Sequence, residues 1–143
     1  MSENSKGKDA ELAGCRLLVV DDEEINRDLL QRRLERRGFQ VAGAKDGLEA
    51  LQLIESQAFD LVLLDIMLPG IDGLEVLRRI RAKSTIQELP VVMVSAKDDS
   101  QGIVEALNIG ANDYITKPVD FPVVLARIRT HLSHRQARAA LRE

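Results

Sequence analysis

Leu61-Val62-Leu63-Leu64-Asp65 is the stretch that decides the fold. Its apolar run is short, which favours a strand over a helix, and a carboxylate closes it. The same shape recurs on either side. Leu17-Leu18-Val19-Val20 leads into Asp21-Asp22, and Tyr114-Ile115-Thr116 leads into Lys117. Open α/β sheets build their sites from polar residues at the carboxyl ends of buried parallel strands. Three carboxylates gathered there repel one another unless a cation joins them. A hard divalent ion such as Mg²⁺ suits oxygen ligands and leaves room for a phosphate. The chain therefore reads as a metal-assisted phosphate-handling domain, with one aspartate free to act as nucleophile.

Working outward, strands are expected near residues 16–20, 40–44, 61–64, 90–94 and 113–115. Helices are expected near 24–37, 48–57, 74–83, 101–109 and 121–140. Gly38, after Arg36-Arg37, has the character of a helix C-terminal glycine. Asp46 with Glu49, and Asp72 with Glu75, have capping-box spacing. Gly110 ends the fourth helix, and Asp120 can cap the fifth. Five alternating strand–helix units imply a parallel sheet with helices on both faces. Along the last helix, Phe121, Leu125, Ile128 and Leu132 form a core-facing stripe. In the first helix, most of Ile25, Leu29 and Leu34 should be core, and its arginines a solvated face.

At 143 residues the chain is read as one domain with room for a real core. The net charge of −3 gives no reason to expect nucleic-acid binding, and low aromatic content argues against base stacking. A single cysteine, Cys15, excludes an internal disulfide and reads as a bystander. Residues 1–14 are polar and read as a disordered segment, not a secretory signal. No apolar run approaches the roughly 20 residues that span a bilayer, so a cytoplasmic location is expected. Residues 15–133 are the expected folded domain. Residues 134–143 extend the last helix, either as a solvated end or as a linker to an output domain.

Four motifs, each at a strand end, carry a resemblance. Val19-Val20-Asp21-Asp22 is the first, and Leu64-Asp65-Ile66-Met67-Leu68-Pro69-Gly70-Ile71-Asp72-Gly73 the second. Val94-Ser95-Ala96 and Gly110-Ala111-Asn112-Asp113-Tyr114-Ile115-Thr116-Lys117-Pro118 complete the set. In this order they resemble the receiver domain of bacterial two-component response regulators, from about residue 16 to 132. The resemblance implies a (βα)5 fold with flavodoxin-like strand order 2-1-3-4-5. It implies that Asp65 accepts a phosphoryl group from a sensor histidine kinase or phosphotransfer protein. Asp22 and Asp65 would then bind Mg²⁺ (or Mn²⁺), with Asp21 through water and the backbone carbonyl of Met67 as a further ligand. Lys117 would offset phosphoryl charge, aimed by a cis bond to Pro118. Ser95 and Tyr114 would form the switch that carries the change to the face of the fourth helix, fifth strand and fifth helix. Met67 and Lys97, each two residues past a site residue, would tune the lifetime of the phosphorylated state. The first helix near Ile25-Asn26 would meet the kinase. A homodimer through the face just named is also implied, although the fourth helix carries few of the charges such dimers use. There Ile103 and Val104 could form an apolar patch or be core.

Each residue also has a plainer reading: Asp65 as a turn residue, Asp21-Asp22 as a helix cap, Lys117 as a surface lysine, Ser95 as a strand-end hydroxyl. Tyr114 could be a half-buried strand aromatic, and Met67 and Lys97 plain surface. Three other functions compete. A haloacid-dehalogenase-type phosphatase would want a second aspartate where Met67 stands. A flavodoxin-like cofactor binder would want a phosphate cradle where Asp21-Asp22-Glu23-Glu24 stands. A phosphorylation-independent interaction module would not need the complete site. The favoured expectation is a switch that takes part in its own phosphoryl transfer and hydrolysis and turns over no free substrate.

Overall fold

A computed structural model describes residues 11–142. Five strands, β1 (Arg16–Val20), β2 (Gln40–Ala44), β3 (Leu61–Asp65), β4 (Val91–Ser95) and β5 (Asp113–Thr116), form one sheet in the order β2-β1-β3-β4-β5. Every pairing is parallel. The helices between them are α1 (Glu24–Glu35), α2 (Gly47–Ser56), α3 (Gly73–Arg81), α4 (Ser100–Ile109) and α5 (Phe121–Arg142). The architecture is the expected flavodoxin-like (βα)5 arrangement.

Alternation along the strands divides the core in two. Leu18 and Val20 of β1 and Val62 and Leu64 of β3 pack with Ala50, Val76, Leu77, Ile80 and Ala106 of α2, α3 and α4. Leu17, Val19, Leu61 and Leu63 point the other way, onto Leu34 of α1 and Val124, Leu125, Ile128 and Leu132 of α5. The period of two is that of pleated strands buried on both faces. The chain crosses from one face to the other between β1 and β3, which leaves a crevice at their carboxyl ends.

Element ends differ from expectation by a residue or two, for local reasons. β4 begins at Val91 because Pro90 has no N–H to enter the ladder; its carbonyl still accepts from Val62 N at 2.9 Å. α1 stops at Glu35, and the chain leaves through Gly38 at φ 96°. α3 stops at Arg81, whose guanidinium donates to the carbonyls of Ser84, Thr85, Leu89 and Gly110 and to Asn112 Oδ1. Burial lowers its pKa to about 10. Asp46 and Asp72 cap α2 and α3 by accepting from Glu49 N and Glu75 N, each at 2.9 Å. Neither completes the reciprocal box at the cap residue. Glu49 reaches back to Lys45 N, and Glu75 turns to Arg78 and Arg79 instead.

The expected disorder of residues 1–14 is corrected where the structure describes it; residues 1–10 lie outside the described residues. Residues 11–12 are helical, Leu12 is buried in the α1–α5 core, and Gly14 N bonds Gly38 O at 2.9 Å. The folded part therefore starts before Cys15. Beyond Leu132, α5 continues as one helix. Its next turn is still attached to the body: Arg135 reaches Asp60 Oδ1 at 2.6 Å and Glu88 O at 2.9 Å.

Candidate phosphoryl-acceptor site

Asp65 is the last residue of β3 and only 2% exposed. The ladder fixes its backbone, since Ile66 N bonds Val94 O at 2.9 Å. Its Oδ1 accepts from Met67 N at 3.0 Å, and its Oδ2 accepts from Lys117 Nζ at 2.6 Å. Lys117 arrives from the end of β5. Its N–H bonds Ser95 O at 2.8 Å, and its peptide bond to Pro118 is cis, as expected. Asp21 and Asp22 follow β1 across the crevice. One carboxylate oxygen from each of Asp21, Asp22 and Asp65 lies within 4.8 Å of the others.

The electrostatics follow from this packing. Burial pushes the Asp65 carboxyl above its usual range; the Lys117 ammonium and the Met67 amide only partly offset it. Burial also works against the charge on Lys117, but Asp65, Asp21 and Glu23 outweigh it and raise its pKa. A cluster with three carboxylates and one ammonium has acceptors to spare and too little positive charge. That is the donor set of a hard divalent cation with oxygen ligands. Ser95 supplies an independent sign of fit. It is fully buried, and its Oγ is the one buried side-chain polar atom without a partner among the described residues. A buried hydroxyl left unpaired costs free energy, and an incoming oxygen-rich group would give it an acceptor.

The helix-cap reading of Asp21-Asp22 does not hold in its simple form. The cap position of α1 is Glu23, which makes no side-chain cap bond, while Asp21 Oδ1 accepts from Glu23 N at 2.9 Å. Tyr114 is 37% exposed and points away from the core. Met67 is 68% exposed and Lys97 is exposed, both outside the carboxylate cluster. Burial and the charge of Asp60 push the Cys15 thiol up, which suits a bystander.

The expectation that most apolar residues of α1 are core is corrected. Of Ile25, Leu29 and Leu34 only Leu34 is buried; Ile25 is 82% exposed. Leu29 and Leu30 instead line a cavity of about 300 Å³ with Lys117, Pro118, Val119 and Phe121, opening beside Asp21. On α4, Val104 is exposed and Ile103 half-buried.

One residue that shapes the site's backbone was not singled out in the sequence. Gly73 starts α3 and its N–H bonds Ile66 O at 2.8 Å. A Cβ there would overlap the Asp65 carbonyl oxygen and lie 2.7 Å from Ile66 Cα. The available signal was a glycine directly after a capping aspartate, where the backbone of a site must come close.

The sequence pattern described as response regulator receiver domain matches residues 17–129. The transcriptional regulatory protein CseB of Streptomyces coelicolor is 47% identical over 116 residues, 81% of this chain and 48% of that protein. The CseB protein of Streptomyces avermitilis is 46% identical over the same shares. Among solved structures, a CheY-like receiver domain protein from Methanospirillum hungatei aligns with TM-score 0.81 at 31% identity, covering 88% of this chain and 99% of that one. The chain belongs to the response regulator receiver domain family. It spans about half the length of the curated relatives it matches. No helix among the described residues is long and apolar enough to cross a membrane.

Proposed function

We propose that this receiver domain is a phosphorylation switch whose acceptor is Asp65. The observation that carries the reading is the meeting of the buried Asp65 with Lys117 at 2.6 Å and with two further carboxylates within 4.8 Å. An Asp65 carboxylate oxygen attacks phosphorus of a phosphohistidine on a sensor kinase or phosphotransfer protein. The P–N bond breaks, the imidazole leaves, and an acyl phosphate forms. Asp21, Asp22, Asp65 and the Met67 carbonyl would hold Mg²⁺ or Mn²⁺. That ion would offset the charge of nucleophile and phosphoryl oxygens. Lys117 exchanges its contact with the carboxylate for one with the phosphoryl oxygens. Ser95 Oγ donates to the same group, and Tyr114 turns inward into the space it vacates, altering the α4–β5–α5 face. The exposed Ile25 and Leu29, beside the cavity next to Asp21, are where the donor protein docks. The turns of α5 past Leu132 lead toward an output domain.

The test is intact-protein mass after incubation with Mg²⁺ and a small acyl-phosphate donor. Wild type should gain one phosphate that chelator prevents, and Asp65→Asn should gain none. No adduct with any donor would favour a phosphorylation-independent module, and an adduct on Asp65→Asn would move the acceptor elsewhere. The exposed, apolar Met67 flanks the path of an attacking water, so Met67→Asn should hasten loss of the adduct. An unchanged decay would remove Met67 from that role.

A further inference from the structure

We propose that His131 is a positioning residue of the switch. Through the carboxylate of Asp113 it holds the head of β5 on α5 and opposes the inward turn of Tyr114. The inference rests on the reading of Tyr114 as the moving aromatic.

β5 is an edge strand, paired only with β4, so one side of its backbone has no ladder. Asp113 compensates at its first residue. Its Oδ1 accepts from Tyr114 N at 2.9 Å, which ties the carboxylate to the peptide that carries the switch side chain. Its Oδ2 meets His131 Nε2 at 2.9 Å and lies 3.6 Å from Arg127 Nη1. The side chains of His131 and Asp113 are 14% and 24% exposed, so solvent screens this contact less than the longer one to the more exposed Arg127. His131 stands on a fixed base. Ile128 and Leu132 are buried on either side of it, and Arg135 is bound to Asp60 and Glu88 O one turn further on. The Tyr114 N to Asp113 Oδ1 bond passes any backbone shift that accompanies the inward turn to Asp113, which must then slide along α5 or leave His131. The clasp thus weights the equilibrium toward the outward state, and a ligand must supply the difference.

Tyr114 is the only tyrosine and the chain has no tryptophan, so tyrosine emission reports this one side chain. The experiment titrates the whole chain, with Mg²⁺ present, with beryllium fluoride as a mimic of the phosphoryl group on an aspartate. Wild-type emission should change with saturation. His131→Leu should start nearer the saturated value and reach its midpoint at a roughly threefold lower concentration, the scale of one partly exposed hydrogen bond to a carboxylate. His131→Gln keeps an N–H donor for Asp113 and should restore wild-type behaviour. Asp113→Asn weakens the clasp from the other side and should resemble His131→Leu, which separates lost bonding from altered packing. A wild-type titration from His131→Leu or Asp113→Asn overturns the clasp and leaves the relay standing. Constant wild-type emission while Asp65 takes its adduct overturns the relay, and the clasp with it.

Discussion

Gly73→Ala is expected to lower the midpoint of thermal unfolding by about 10 °C, equivalent to roughly 3 kcal/mol in a domain of this size. The sign is the opposite of the usual one, because Gly to Ala within a helix normally stabilises by up to about 1 kcal/mol. Here the new methyl would overlap the Asp65 carbonyl oxygen and press on Ile66 Cα. Both are backbone atoms in or beside a ladder, so neither can swing aside as a side-chain tip could. Relief requires α3 to back away from β3, which breaks the Gly73 N to Ile66 O bond and loosens Val76 and Leu77 from the core. It also disturbs the turn that presents Met67 N to Asp65. Phosphate incorporation should fall together with stability. Far-UV circular dichroism on heating reads the first effect, and a midpoint at or above wild type would refute the close-approach account.

Lys117→Met is expected to slow phosphoryl incorporation from a small donor by about 10²-fold or more, the usual penalty for deleting one positioned charge-stabilising donor. Methionine fits the space of a partly exposed lysine, so the fold should survive. What disappears is the ammonium 2.6 Å from Asp65 Oδ2. The carboxylate already sits above its ordinary pKa because of burial. Without Lys117 the attraction that partly offsets burial is gone, so the charged carboxylate loses its nearest positive partner. Lys117→Arg keeps the charge but not the compact geometry and should recover only part of the rate. The rate of mass gain under saturating Mg²⁺ measures this. Wild-type speed in Lys117→Met would remove the lysine from the chemistry.

Much of the fold was legible because the strands are short, apolar and regularly spaced. Asp65, Lys117 and the Asp21-Asp22 pair were legible because a charged residue closing such a run has few other places to be. What the sequence hid were matters of neighbourhood. The spacing of Ile25 and Leu29 marks one helix face, but not that nothing covers it next to Pro118 and Val119. The polar stretch around Leu12 conceals one leucine that reaches the core. Capping-box spacing at Asp72 and Glu75 predicts the forward bond correctly. It says nothing of Arg78 and Arg79, which compete for the glutamate. The glycine after the capping Asp72 signals a close approach, but what it approaches emerges only when α3 and the end of β3 are brought together.

The buried carboxylate of Asp65 also makes the domain's folding a titration. Its raised pKa means that the native state binds this proton more tightly than the unfolded chain does. Stability from this group is thus fully present below about pH 4, where an ordinary aspartate ionises, and is lost as pH rises through the higher native pKa. A divalent cation held by Asp21, Asp22 and Asp65 in the native form alone would oppose that slope, worth about 2.7 kcal/mol at a hundred times its dissociation constant. Chelator should then lower the wild-type melting temperature at neutral pH and leave Asp65→Asn nearly unmoved. If both melt alike with and without the ion, the carboxylates do not hold it. On the proposed reading, the carboxylate that accepts phosphate would also tie the folded fraction of the domain to the ambient magnesium concentration.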